Sequence, residues 1–316
     1  MEDSYIDLDA DVFADSLEIP MMRDVIEPEA DGETGSTEME ATIPEDRVGG
    51  DPTAATSALL ALRGATGGVG VTSLAIEMAH VMAQSGRGEV CLVDLDFGAG
   101  MLAHYLDATV TPTIDDLRAE PHRLDKTFVR SLLFHHDAGF SVFGSPGVAG
   151  GNDAVNPSSV LAALDTIASL YPVVILDVPR ITRPWTEATL KAADRVCLLS
   201  ELTIPSLHVT RQRIAELADW GIATTDVALA KYERRSFKAS IRQSDAERAL
   251  GQSVTGVLGL DSHVTTEAMN CGLPSGKVSH DSRYVKDVAA LARELSPYFA
   301  ERRNRTRKSR FWGRAA

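Results

Sequence analysis

The residues Arg63-Gly64-Ala65-Thr66-Gly67-Gly68-Val69-Gly70-Val71-Thr72-Ser73 have the make-up of a loop that holds an anion. Glycines let the main chain approach a ligand and aim successive N–H groups at one point, and a following helix adds its positive end. Gly64, Ala65, Thr66, Gly67, Gly68, Val69, Gly70, Val71, Thr72 and Ser73 are therefore the candidate cradle for a phosphate. A phosphate loop of the Gly-x-x-x-x-Gly-Lys-Ser/Thr type also places a lysine directly before its hydroxyl residue to reach the outer phosphates. That position holds Val71. Two later apolar runs end in acids: Val90-Cys91-Leu92-Val93-Asp94-Leu95-Asp96 and Val173-Val174-Ile175-Leu176-Asp177. In an open parallel sheet a ligand lies outside the carboxyl ends of the strands, so Asp94, Asp96 and Asp177 are expected beside the loop.

The elements that must position these residues follow from periodicity. Ala58 to Leu62 is an apolar strand leading into the loop, and Leu74, Ala75, Met78, Ala79 and Met82 repeat at helical spacing after it. From there strands and helices alternate, the pattern of an α/β fold with a doubly wound, mostly parallel sheet and helices on both faces. Strands are expected near 58–63, 90–94, 140–144, 173–177, 195–200, 226–230 and 255–260. Helices are expected near 72–85, 158–169, 185–193, 206–219, 240–250 and 282–299. The Gly/Asn-rich stretch 144–153 reads as a loop on the ligand side of the sheet. Trp185 and Trp220 read as packing residues.

The order Gly-x-x-Gly-Gly-x-Gly-x-Thr-Ser, then Leu-Val-Asp-Leu-Asp-Phe-Gly, then Ile-Leu-Asp-Val-Pro resembles the deviant Walker P-loop ATPases that include MinD and ParA. Within that family, Asp177-Val178-Pro179-Arg180, Arg183-Pro184-Trp185-Thr186-Glu187, Ala193-Asp194-Arg195 and Glu201-Leu202-Thr203-Ile204-Pro205 resemble the CpaE/TadZ branch, the localisation proteins of Flp (tight adherence) pilus assembly. The resemblance covers roughly 58–300 and implies ATP and Mg2+ as ligands. It matches Thr72 to the hydroxyl that holds Mg2+, Asp94 and Asp177 to the acids that organise the metal, and Asp96 to the acid that orients the attacking water. It also matches Thr66 to the signature lysine that reaches across a nucleotide-sandwich dimer, and Val71 to the Walker lysine. Both lysines are gone. Ala230-Lys231 stands where the family often has an Asn-Lys pair that reads adenine. A hydrogen bond to a charged group contributes about 1.5–3 kcal/mol, so losing two weakens nucleotide binding by several powers of ten unless another group replaces them. Positioned cations also stabilise the transferring phosphate, so the resemblance implies hydrolysis that is slow or lost. Arg63, Arg180 and Arg183 are the candidates to replace a lysine. The family also implies homodimerisation, here with little dependence on nucleotide, and partners drawn from pilus assembly or cell division. The alternative reading is an active ATPase of the MinD/ParA type that positions cell-division or partitioning machinery. A metabolic P-loop enzyme would need a substrate pocket or cluster-binding cysteines that the sequence does not offer.

The 316 residues carry a formal net charge of −14, and the segment 1–56 alone holds 17 acids against Arg23 and Arg47. The rest of the chain is close to neutral. Residues 1–56 are therefore expected to be a disordered acidic tail, 57–300 the P-loop domain and 301–316 a basic-aromatic tail. Apolar residues scattered through the first half of the acidic tail leave two readings open, a solubilising arm or a segment that folds on a partner. Cys91, Cys197 and Cys271 have no metal-ligand spacing and read as reduced thiols. No apolar run is long enough to span a bilayer, and the acidic start is the opposite of a signal peptide's basic one, so the chain is expected in the cytoplasm. Arg302, Arg303, Arg305, Arg307, Lys308, Arg310 and Arg314 surround Phe311 and Trp312. Basic residues are drawn to anionic lipid and Trp to the headgroup zone, which points to peripheral contact with the inner face of the plasma membrane. Nucleic-acid binding, pairing with the acidic tail, or a plain solvated end compete with that reading. Arg234, Arg235, Lys238 and Arg242 raise DNA binding as a further option, but interspersed acids favour a solvated face.

Overall fold

The computed structural model describes residues 57–86, 89–109, 116–117, 121–144, 147, 150–222, 225–231 and 241–295. Both terminal tails, and Arg234, Arg235 and Lys238 of the smaller basic group, lie outside the described residues. The sheet has eight strands: β1 (Ala58–Gly64), β2 (Val90–Asp94), β3 (Phe134–His136), β4 (Phe140–Phe143), β5 (Val173–Val178), β6 (Arg195–Glu201), β7 (Asp226–Lys231) and β8 (Gly256–Gly259). Their spatial order is β3-β4-β2-β5-β1-β6-β7-β8. All neighbours run parallel except the β3–β4 hairpin. The winding of the chain across the sheet reverses at β1, which puts the crevice of the sheet at the carboxyl end of that strand. The doubly wound architecture and each expected strand are present. The short strand β3 is an addition to the expected set.

The main helices are α1 (Val71–Gln84), α2 (Pro157–Leu170), α3 (Thr186–Ala192), α4 (Ile204–Asp219), α5 (Gln243–Leu250), α6 (Ser262–Asn270) and α7 (Arg283–Leu295). Strands buried on both faces read as continuous apolar runs, and the two-residue alternation divides them between two cores. Leu60, Leu62, Leu92, Ile175, Cys197 and Leu199 pack under α1 and α7, against Leu74, Met78, Tyr284, Val288 and Leu291. Leu59, Ala61, Cys91, Val93, Val174, Leu176 and Leu198 face the other way, against Val160, Leu164 and Ile167 of α2, Leu190 of α3 and Leu217 of α4. A smaller cluster joins Val227 and Leu229 of β7 to Leu207 of α4 and Ala246 and Leu250 of α5. The helices begin where the sequence offers caps: the side chain of Asn156 accepts from Ser158 N at the start of α2, and Thr203 caps α4 by accepting from Ser206 N. In both helices a proline stands in the first turn, where its missing N–H costs nothing. The thiols of Cys91 and Cys197 are buried and free, and burial pushes both well above the usual thiol range.

Candidate functional site

Register brings the acids together. Parallel pairing of β2 with β5 sets Asp94 directly opposite Asp177, and β1 delivers the Gly-rich loop on the other side of β5. The loop, the acids and α6 enclose a cavity of about 440 Å³, lined by Gly64, Thr66 to Ser73, Asp94, Asp96, Asp177 and Arg180 among others. Gly68 and Gly70 have φ of 72° and 92°, values that only glycine takes without strain. Gly70 is also the N-cap of α1, supplies no side chain, and is followed by a first turn without acids. The opening amides of that helix are left to be satisfied by something else. Ala65 departs from the expected cradle: it is buried, its N–H donates to Leu199 O of β6 at 2.9 Å, and it lies outside the lining.

The hydroxyl and carboxylates are interlocked. Thr72 Oγ1 donates to Asp177 Oδ2 at 2.7 Å, so the side chain matched to metal binding is aimed by the acid expected to assist it. Asp94 Oδ1 accepts from Asp96 N at 2.8 Å and Asp94 Oδ2 from Leu102 N at 3.4 Å. Gly100 makes that embrace possible, because a Cβ there would sit against Asp94 Oδ2 and 2.5 Å from Asp96 O. Burial raises both carboxyls, Asp177 to about 6 despite its bond from Thr72, and Asp94 well above the carboxylate range with the charge of Asp177 adding to the rise. Two buried acids with no ion pair to a lysine or arginine among the described residues fit a site built for positive charge. Among the described residues no group of three or more His, Cys, Asp or Glu side chains is placed to bind a metal directly. An ion here would rely on the Thr72 hydroxyl, water and ligand oxygens, with the acids outside them.

Asp96 lines the cavity and has a partner with no signal in the sequence. Asp96 Oδ1 accepts from Ala99 N at 3.0 Å and from Asn152 Nδ2 at 2.8 Å. Asn152 belongs to a helical turn, Gly151–Ala154, inside the stretch expected to be only a loop. The next residue, Asp153, bonds Arg183 at 2.7 Å in the segment after β5. No local pattern announces Asn152, which is 56 residues from its partner. The outer wall of the cavity, Leu260, Ser262, Thr265 and Met269 around α6, with Tyr284 of α7, was likewise not foreseen. Its one sequence signal is Asp261, which caps α6 by accepting from Val264 N at 3.3 Å.

The two neutral substitutes are placed as follows. Thr66 Oγ1 lies 3.4 Å from Ser206 Oγ, the outermost member of a hydroxyl chain through Ser200 and Thr210. Val71 lines the cavity at the start of α1. Ala230 is buried at the end of β7 and does not reach the lining.

Of the three arginines that could stand in for a lysine, two are excluded. Arg63 is fully buried and points to the opposite face of the sheet: Nε donates to Pro179 O at 3.3 Å, and Nη2 donates to Arg180 O at 3.0 Å and to Thr182 Oγ1 at 2.9 Å. Its guanidinium also sits 6.0 Å from the centre of the Trp220 ring. Desolvation lowers it to about 10, with the charge of Glu216 working in the other direction. Arg183 lies outside the lining and pairs with Asp153. Arg180 is exposed and lines the cavity. Among the described residues no helix is long and apolar enough to cross a membrane.

No family model and no curated protein matches this chain. Solved structures do. A ParA family ATPase from Chlorobium tepidum TLS superposes with a TM-score of 0.68 at 20% identity, covering 76% of this chain and 99% of that one. The septum site-determining protein MinD from Pyrococcus horikoshii OT3, complexed with Mg-ADP, gives a TM-score of 0.65 at 18% identity over 76% of this chain and 96% of that one. A complex of a McdA variant from Cyanothece with ATP gives 0.57 at 16% identity over 78% and 97%. The chain therefore has the P-loop fold of the ParA and MinD structures.

Proposed function

We propose that this protein is a MinD/ParA-like factor of the CpaE/TadZ type, which binds Mg2+ and ATP in the cleft, hydrolyses ATP slowly or not at all, and serves in localising or assembling a Flp pilus. One observation carries the reading. Thr72, Asp94, Asp96 and Asp177 gather around the Gly-rich loop, while Thr66 and Val71 stand at the positions where a working site would carry lysines. The cradle fits the ligand by the start of α1, which has no side-chain cap, and by its buried acids. The MinD and McdA structures were solved with Mg-ADP and ATP respectively, which supports the same ligand class here.

In this scheme the loop from Thr66 to Ser73 would cradle the phosphates and Thr72 would present its hydroxyl to Mg2+, with Asp177 keeping that hydroxyl aimed. Asp94 stands behind Asp96 by accepting its N–H. Bound Mg2+ would neutralise phosphate charge, the task the missing lysines share in an active site. Asp96 would orient water only as far as its bonds from Ala99 and Asn152 allow. The retained acids favour the second reading, an active positioning ATPase. Calorimetry with Mg-ATP, paired with a phosphate-release assay, separates the two: binding without turnover is expected. Turnover abolished by Asp96→Ala would overturn the degraded-site reading.

The site residues of the cleft and the division into acidic tail, P-loop domain and basic-aromatic tail remain part of this proposal. So does peripheral attachment to the inner face of the plasma membrane through Arg302 to Arg314 with Phe311 and Trp312. Removing 302–316 is expected to release the protein from anionic liposomes, and retention at wild-type levels would reject the tail as anchor. Genes for a secretion ATPase and a prepilin beside this one would favour the pilus over cell division.

A further inference from the structure

We infer that Arg180 is the cation that receives the outer phosphates in this cleft, replacing a loop lysine from the neighbouring strand end; the inference rests on the nucleotide reading given above. Among the described residues that line the cavity, Arg180 is the one lysine or arginine. Its side chain is exposed, and its Nε lies 3.8 Å from where a Cβ on Gly67 would stand, so it overhangs the turn of the loop. It also follows Asp177 by three residues, at the mouth where Thr72 and the acids mark the metal end of the cleft. Metal ions in phosphoryl-transfer sites bridge the outer phosphates, so a cation at that end meets those phosphates rather than the base.

The backbone beneath Arg180 is fixed by Arg63. Three donations from that buried guanidinium, to Pro179 O, Arg180 O and Thr182 Oγ1, hold the segment from which Arg180 projects. Arg63 is thus a positioning residue acting from the far face of the sheet, and Arg180 is presented from a rigid base. A planar guanidinium offers paired donors to phosphate oxygens, which a lysine ammonium does not reproduce.

The test is calorimetry on the full chain with Mg-ATP, Mg-ADP and AMP, comparing wild type, Arg180→Ala, Arg180→Lys and a control, Arg248→Ala, whose side chain is 78% exposed on α5. Loss of one charge-assisted phosphate contact is expected to weaken Mg-ATP binding about 10- to 100-fold in Arg180→Ala. Arg180→Lys should recover part of it, while AMP binding and the control stay unchanged. Thermal midpoints should match throughout, because the Arg180 side chain is solvent-exposed. Wild-type Mg-ATP affinity in Arg180→Ala would overturn the inference and leave the nucleotide reading standing. An equal loss for AMP would also overturn it, since the residue would then not be acting on outer phosphates. If wild type binds none of the three, the nucleotide reading fails and this inference fails with it.

Discussion

Replacing Asp177 by Asn should make the ligand-free protein more stable at neutral pH, against the usual cost of altering a buried polar residue. In the folded chain this carboxyl is held up to about 6 from an ordinary 3.8, chiefly by burial. An unfolded Asp gives up its proton near pH 4, whereas the folded one keeps it until about pH 6. The folded state therefore suffers no penalty below about pH 4, an increasing one up to about 6, and the full one above that. At about 1.4 kcal/mol per pKa unit the full penalty is about 3 kcal/mol. Asn removes the charge yet retains an oxygen to accept from Thr72, whose bond to Asp177 is 2.7 Å long. Urea or thermal unfolding in EDTA should show Asp177→Asn above wild type by roughly 5–10 °C at about pH 7.5. The difference should shrink towards zero near pH 4. Saturating Mg-ATP should reverse the ranking if Asp177 serves the metal. A variant less stable than wild type at neutral pH, or a difference independent of pH, would refute the account of a carboxyl whose charge is destabilised by burial.

Thr66→Lys and Val71→Lys together should raise Mg-ATP affinity about tenfold or more, read by calorimetry; no gain would mean that the cradle does not present its amides. Gly68→Ala, at φ of 72°, should cost about 1 kcal/mol in chemical unfolding, whereas Gly67→Ala, whose Cβ would meet nothing nearer than Arg180 Nε at 3.8 Å, should be close to neutral. Arg63→Ala should lose about 3–5 kcal/mol by leaving a cavity and unpairing two carbonyls and Thr182. A loss below about 1 kcal/mol would show that the guanidinium does not hold that segment.

The sheet was legible because its strands are long apolar runs, and the acids were legible because they end two of them. β3 escaped notice because Phe134-His135-His136 is only three residues and carries no alternation. α6 escaped for a different reason: it covers a cleft instead of a core, buries only Ala268, and so shows no apolar stripe. Arg63 could have been assigned correctly by counting in twos. Leu59 and Ala61 face α2 and α4, so residue 63 must face them as well and cannot reach the loop's ligand side. Contacts such as Asn152 with Asp96 depend on elements meeting across the fold and leave no trace in local spacing.

Two consecutive side chains in the turn Gly151–Ala154 grip both segments that flank the cleft, Asn152 holding Asp96 at 2.8 Å and Asp153 holding Arg183 at 2.7 Å. Such a crosspiece ties their displacements together like two oars on one thwart. Asp96 is thereby linked, through one short turn, to the segment that carries Arg180.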